Sequence, residues 1–154
     1  MKKLLLIFFL FGFLFFNNCA KNEKNEIVRI QEDKIEGQMI KAYQEGIVAF
    51  ENKLYLDAVK KFNESEILFP QSEWAPRSAL MAAYAYYSDD YNKRAISELI
   101  NFFKKYPSDP NTSYAHYLLA MSYYNTIIDE KKDLEPLKNS KQQFEYIVEN
   151  YPNT

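Results

Sequence analysis

Few residues in this chain have types and spacing suited to covalent chemistry. His116 is the only histidine, so it has no second imidazole with which to share a metal or a proton relay. Its place in the pattern developed below predicts a packed position inside a helical hairpin. Cys19 is the only cysteine, which excludes a disulfide within one chain. Asp129, Glu130, Asp133 and Glu135 cluster, but Lys131 and Lys132 interrupt them and the spacing is not that of a calcium loop. A solvated surface loop is the expectation there. The sequence contains no glycine-rich phosphate loop, hydrolase elbow or zinc-ligand spacing, so no catalytic residue, metal or cofactor is expected. What the chain has in excess is tyrosine, 13 residues beside 12 phenylalanines. A phenol joins a large apolar ring to a polar tip, which suits binding better than catalysis.

The first residues belong to targeting and not to fold. Lys2 and Lys3 precede a 13-residue apolar run from Leu4 to Phe16, broken only by Gly12. A membrane-spanning helix needs about 20 residues, so the run reads as the core of a secretory signal over residues 1–18. Cys19 follows directly, where a bacterial lipoprotein is cleaved and acylated, although Phe16, Asn17 and Asn18 stand where leucine and small residues are usual. Several acyl chains on Cys19 would make a stable anchor, since a single chain holds only marginally. Ala20 in place of aspartate favours the outer membrane. Residues 19–36, polar and charged, are expected to form a lipidated N-terminus and flexible tether. From Cys19 on the chain carries 17 basic and 21 acidic residues, a net of −4 with no aromatic-lined basic patch, which argues against nucleic acid.

The remainder, 37–154, repeats. Phe69-Pro70, Tyr106-Pro107 and Tyr151-Pro152 recur with the prolines 37 and then 45 residues apart. Gly46, Ala83 and Ala120 fall in register, as do Ala58, Ala95 and Ser140, and then Phe62, Leu99 and Phe144. The small residues allow close helix approach, the aromatic or leucine fills the gap, and the proline ends the second helix. Helices are predicted over 37–51, 54–69, 73–88, 91–106, 111–129 and 137–151, with Ser72 and Asn111 as N-caps and Pro136 in a first turn. The extra residues of the third unit fall in 129–136.

This pattern resembles the tetratricopeptide repeat. It predicts an all-α, right-handed solenoid of about three repeats, near 39–72, 73–110 and 111–154. In such arrays the first helix of each hairpin lines a concave groove. The resemblance places Ile40, Tyr43, Ile47 and Phe50 there, then Arg77, Leu80, Tyr84 and Tyr87, then Tyr114, Tyr117, Met121 and Tyr124. Tyr86 and Tyr123 map to packing positions. A tyrosine stripe at helical spacing is often simply core, but a solvated wall would carry more charge than this one. Arg77 could pair with a carboxylate.

Three segments, FNESEILFPQSEWAPRSALMAAYAYY (62–87), FFKKYPSDPNTSYAHYLLAMSYY (102–124) and VENYPNT (148–154), carry a closer likeness. They resemble the BamD-like lipoproteins of the bacterial β-barrel assembly machinery. That resemblance implies a non-enzymatic scaffold on the periplasmic face of the outer membrane, lipid-anchored through Cys19. Its implied partners are a BamA-like barrel, further lipoproteins and the aromatic-rich C-terminal segments of unfolded outer-membrane proteins. The family has about five repeats, so three imply a truncated gene product or a partial sequence. The rival reading from another class is a generic periplasmic adaptor of cell-envelope or division machinery.

Overall fold

The computed structural model describes residues 23–128 and 133–153, with side chains from Gln31 onward. The signal segment, Cys19 and the middle of the acidic loop lie outside the described residues. Residues from Ile35 on form one compact unit. Six helices account for the regular structure of the described residues: α1 Glu23–Glu51, α2 Tyr55–Leu68, α3 Trp74–Ser88, α4 Asn92–Lys105, α5 Thr112–Asn125 and α6 Glu135–Asn150. Successive helices from α2 to α6 pack against one another, and α3 also touches α5. The architecture is the all-α stack of helical hairpins that the repeat predicts.

Two helix ends differ from expectation. α1 begins at Glu23, so the stretch through Glu36 read as a flexible tether is helical from there on. Glu, Lys, Gln and Ile sustain a helix as well as they solvate a linker, and no glycine or proline intervenes before Gly37. α5 ends at Asn125 instead of residue 129, because Thr126 turns its hydroxyl back onto the Tyr123 carbonyl at 2.7 Å. β-branched Ile127 and Ile128 follow and favour helix little. Pro136 does occupy the first turn of α6.

Of the two expected caps, Asn111 keeps its position and Ser72 does not. Glu73, not Ser72, is the residue before α3, and Asn111 precedes α5 without a side-chain cap bond. Asp109 organises that second corner by accepting from the backbone N–H and the side-chain amide of Asn111, at 2.8 and 3.0 Å. The Ser72 hydroxyl is directed at the Met39 sulfur instead, at 3.6 Å.

The first two hairpins turn by one device. Lys53 and Asp90, 37 residues apart, take left-handed φ values of 61° and 58°. Around each, the chain closes the preceding helix in a Schellman pattern: Leu54 N–H donates to Ala49 O, and Tyr91 N–H to Tyr86 O, both at 2.9 Å.

Two apolar clusters fill the stack. Ala58, Val59 and Phe62 meet Ala82 and Ala85, while Leu80 and Ala83 meet Leu99, Phe102, Ala115, Leu118 and Leu119. α3 therefore lends opposite faces to both clusters, which explains why its sequence is apolar nearly all round. Between the first two hairpins, Ser78 donates to Ser65 at 3.0 Å in full burial. The aromatic of the aromatic-proline step has its own task there. Tyr106 O–H donates to Glu66 Oε1 at 2.8 Å, and Lys105 joins the same oxygen at 2.8 Å, tying α4 to α2. Burial, then the Glu66 hydrogen bond, pushes the Tyr106 phenol well above its usual value.

Candidate functional site

The residues assigned to the concave wall are divided by the packing. Tyr43, Ile47 and Phe50 are half-buried on α1 against the first cluster. Tyr84 and Tyr87 are half-buried on α3 against the second. Tyr114, Tyr117 and Tyr124 on α5 are 43%, 47% and 56% exposed, so these three offer the most open aromatic surface. Met121 is half-buried and Arg77 is exposed. Leu80 departs from the expectation: at 7% exposure it is a core residue of the second cluster. Its α3 position faces α4 and α5, which close over an aliphatic side chain that has no polar tip to leave outside. Tyr86 and Tyr123, read as packing residues, do pack half-buried against the first and second clusters respectively.

The exposed and half-exposed rings join into a ribbon. Phe50 of α1 stacks on Tyr84 of α3, with centroids 5.1 Å apart and planes 27° apart. Tyr84 meets Tyr87 at 6.4 Å and Tyr114 of α5 edge-on at 6.5 Å. Tyr114 then stacks on Tyr117 at 6.3 Å. Each first helix thus contributes a ring that touches one on the next, and a three-residue step along α3 or α5 keeps neighbours on the same face. Burial raises the Tyr114 phenol above its ordinary pKa, and the neighbouring Tyr84, Tyr117 and Tyr87 reinforce the shift. The ribbon consists of one phenylalanine ring and four phenols. Its chemistry is offset and edge-on stacking plus the hydrogen-bonding capacity of the phenols.

Three side chains outside the repeat-derived set extend this face. Tyr55 of α2 meets Phe50 edge-on at 5.2 Å, and Phe144 of α6 meets Tyr117 at 6.3 Å. Trp74 meets Tyr43 edge-on at 5.2 Å and carries the Arg77 guanidinium 5.2 Å above its ring. Repeat periodicity ranks Phe144 with Phe62 and Leu99, both fully buried, yet Phe144 is only half-buried. Phe62 is covered by α3 and Leu99 by α5, whereas α6 has α5 alone as its helical neighbour among the described residues. For Trp74 the available signal was its place three residues before Arg77, one helical turn away.

His116 has the packed position expected of it. Its ring lies between Phe103 of α4, centroids 4.2 Å apart, and Tyr146 of α6, at 4.3 Å. Its Nδ1 is 2.7 Å from Gln143 Oε1. Burial holds the imidazole below its usual pKa, with the Gln143 hydrogen bond opposing. Among the described residues its ring and hydrogen-bond partners are Phe103, Tyr146 and Gln143, so the imidazole packs α5 against α4 and α6. None of the described helices is long and apolar enough to cross a membrane.

Comparison with known proteins gives this geometry a context. The family model described as YfiO, outer membrane lipoprotein, matches residues 35–154. Outer membrane protein assembly factor BamD of Caulobacter vibrioides is 32% identical over 136 residues, covering 88% of this chain and 43% of that protein. BamD of Rickettsia prowazekii is 29% identical over 154 residues, covering 100% of this chain and 58% of that protein. BamD of Neisseria meningitidis serogroup B is 32% identical over 124 residues, or 74% of this chain and 46% of that protein. The chain spans about half the length of these curated relatives.

Proposed function

The chain belongs to the YfiO family of outer membrane lipoproteins, and from that premise we propose that it is a non-enzymatic scaffold in outer-membrane protein assembly. Its relatives carry the name of assembly factor. Residues 1–18 would direct export, and lipid on Cys19 would hold the repeats at the periplasmic face of the outer membrane. The aromatic face would bind extended, aromatic-rich segments of unfolded outer-membrane proteins, alongside a BamA-like barrel and further lipoproteins as fellow subunits.

The observation that carries the binding role is the unbroken sequence of ring contacts from Phe50 through Tyr84 and Tyr114 to Tyr117, crossing three hairpins. A stripe serving only as core would be closed over by its neighbours, yet Tyr114 and Tyr117 remain nearly half exposed. Exposed rings in contiguous array mark an interaction surface. Tyrosine anchors also fix little conformational freedom on binding, because each has only two side-chain torsions.

The test is binding of a fluorescent ten-residue peptide that alternates tyrosine with serine. Tyr84→Ala and Tyr117→Ala should each weaken it by about fivefold or more, the loss expected of a central aromatic anchor. Circular dichroism of each variant checks that the helices persist. Unchanged affinity in both would remove the groove assignment. Capture of division or peptidoglycan-linked proteins from membranes, without assembly subunits, would favour the generic adaptor instead.

A further inference from the structure

Repeat equivalence exposes a face of the third hairpin that lacks its cover. Phe62 of α2 lies under α3 and Leu99 of α4 lies under α5, both at 0% exposure. Phe144 holds the same repeat position in α6 but is half-buried, and α5 is the only helix packed on α6 among the described residues. Leu137 and Val148 beside it are 41% and 72% exposed. Steps of seven and four residues keep positions 137, 144 and 148 on one stripe of the helix. Lys141 and Glu145, 3.4 Å apart, border that stripe on its solvent side, and exposed Lys138 and Glu149 extend the border. An apolar seam edged by charge is how one helix packs along another.

The order of those charges selects the partner. Lys138 and Lys141 lie in the N-terminal half of α6, and Glu145 and Glu149 in the C-terminal half. The helix macrodipole favours the reverse, acids first and bases last, and an acid four residues before a base also pairs better than this base before an acid. Only Glu135 in the first turn follows that preference, and no basic residue stands in the last turn. The order therefore does little for α6 alone. It does make α6 complementary to an antiparallel copy of itself. With a two-fold axis near residue 143, Lys141 of each copy faces Glu145 of the other. Leu137 then comes within one residue of facing Val148, and Lys138 within one of facing Glu149. In a parallel pair lysine would face lysine and glutamate glutamate. We infer that the outer face of α6 is a self-association surface, on which a second copy of this chain lays its own α6 antiparallel about a two-fold axis. Each copy supplies the helix that covers Phe144 of the other. A single helix seam is a small interface, which corresponds to a weak dimer with a Kd of about 20 µM.

The experiment uses the full chain and follows amide hydrogen exchange of α6 at about 2 µM and about 200 µM protein; for that Kd the monomer fraction falls about fourfold between them, and exchange in α6 should slow by the same factor. Exchange in α2, two hairpins away, should keep its rate. Lys141→Glu and Glu145→Lys each set like charges across the axis and should separately abolish the slowing. An equimolar mixture of these two variants should restore it, because each then meets the opposite charge on the other. Val148→Asp should abolish it too. All three positions are exposed, so circular dichroism of each variant should match wild type. Exchange in α6 that does not change with concentration overturns the dimer, and protection already complete at the lower concentration would place another segment of the same chain on this face. Slowing that survives both charge variants also overturns it, since association would then run through another part of the chain, such as the apolar run Leu4–Phe16. Failure of the mixture to restore the slowing overturns the antiparallel pairing.

Discussion

Gly37 and Gly46 lie nine residues apart in α1 and meet opposite surroundings. A Cβ built on Gly46 would stand 2.7 Å from Cε1 and 2.8 Å from Cδ1 of Phe62, whose ring is fully buried. That ring is hemmed by Ala58, Val59, Ala82 and Ala85 and has nowhere to retreat. At Gly37 nothing lies within 4 Å of the same atom. Replacing glycine by alanine inside a helix gains about 1 kcal/mol of propensity at either place. Overpacking a closed core costs about 1–3 kcal/mol and outweighs that gain only at Gly46. Gly37→Ala should therefore raise the melting temperature by a few degrees, and Gly46→Ala should lower it by a similar amount. Thermal denaturation followed by circular dichroism decides the matter; shifts of equal sign would contradict the close approach of α1 and α2. The residue that permits this contact was legible, because Gly46 shares its repeat position with Ala83 and Ala120.

At the level of elements, His116 is one of the rings that join the third hairpin to the second. His116 of α5 is sandwiched by Phe103 of α4 and Tyr146 of α6, and Gln143 accepts from it on α6. Burial disfavours the imidazolium, so the folded-state pKa lies below the ordinary 6.5. Below about pH 6.5 the unfolded chain accordingly binds more protons than the folded one, and stability falls with pH. The loss stops once the pH is under the folded-state value. Wild type should lose more melting temperature between pH 7.5 and 5.5 than His116→Phe, whose ring stacks without titrating. The Gln143 bond is missing from that variant at both pH values and cancels from the comparison. Identical pH dependence in the two proteins would mean that His116 carries no proton linkage.

At the scale of the whole molecule, what was legible in advance was what local devices fix. Proline ends, small-residue registers and the 37-residue period locate α2, α3 and α4 to within a residue or so. Contacts between hairpins were not legible, because the period records equivalence and not adjacency. Trp74 against Tyr43 of α1, Phe144 at the end of the aromatic ribbon and Leu80 inside the second cluster all depend on which helix lies across the gap. Nor could composition separate a polar helix from a polar tether at residues 23–36, since the same residues serve both.

A stack in which each helix touches mainly its neighbours should also open locally, with stability set by how many sides are covered. α3 buries Ala75, Ser78, Leu80, Ala82, Ala83 and Ala85 and serves both clusters. α6 buries Ser140, and its Leu137, Tyr146 and Val148 are 41%, 41% and 72% exposed. Amide hydrogen exchange should therefore run slowest in α3 and at least tenfold faster in α6, a gap of about 1.4 kcal/mol in opening free energy. Tyr106→Phe, which breaks the bond from α4 to Glu66 of α2, should speed exchange in α2 and α4 while leaving α6 unchanged. Mass spectrometry of exchanged peptides reads both effects in one experiment. Uniform protection from α2 to α6, or an equal response of α6 to the Tyr106 change, would show that the hairpins unfold as one unit and not as a coupled series.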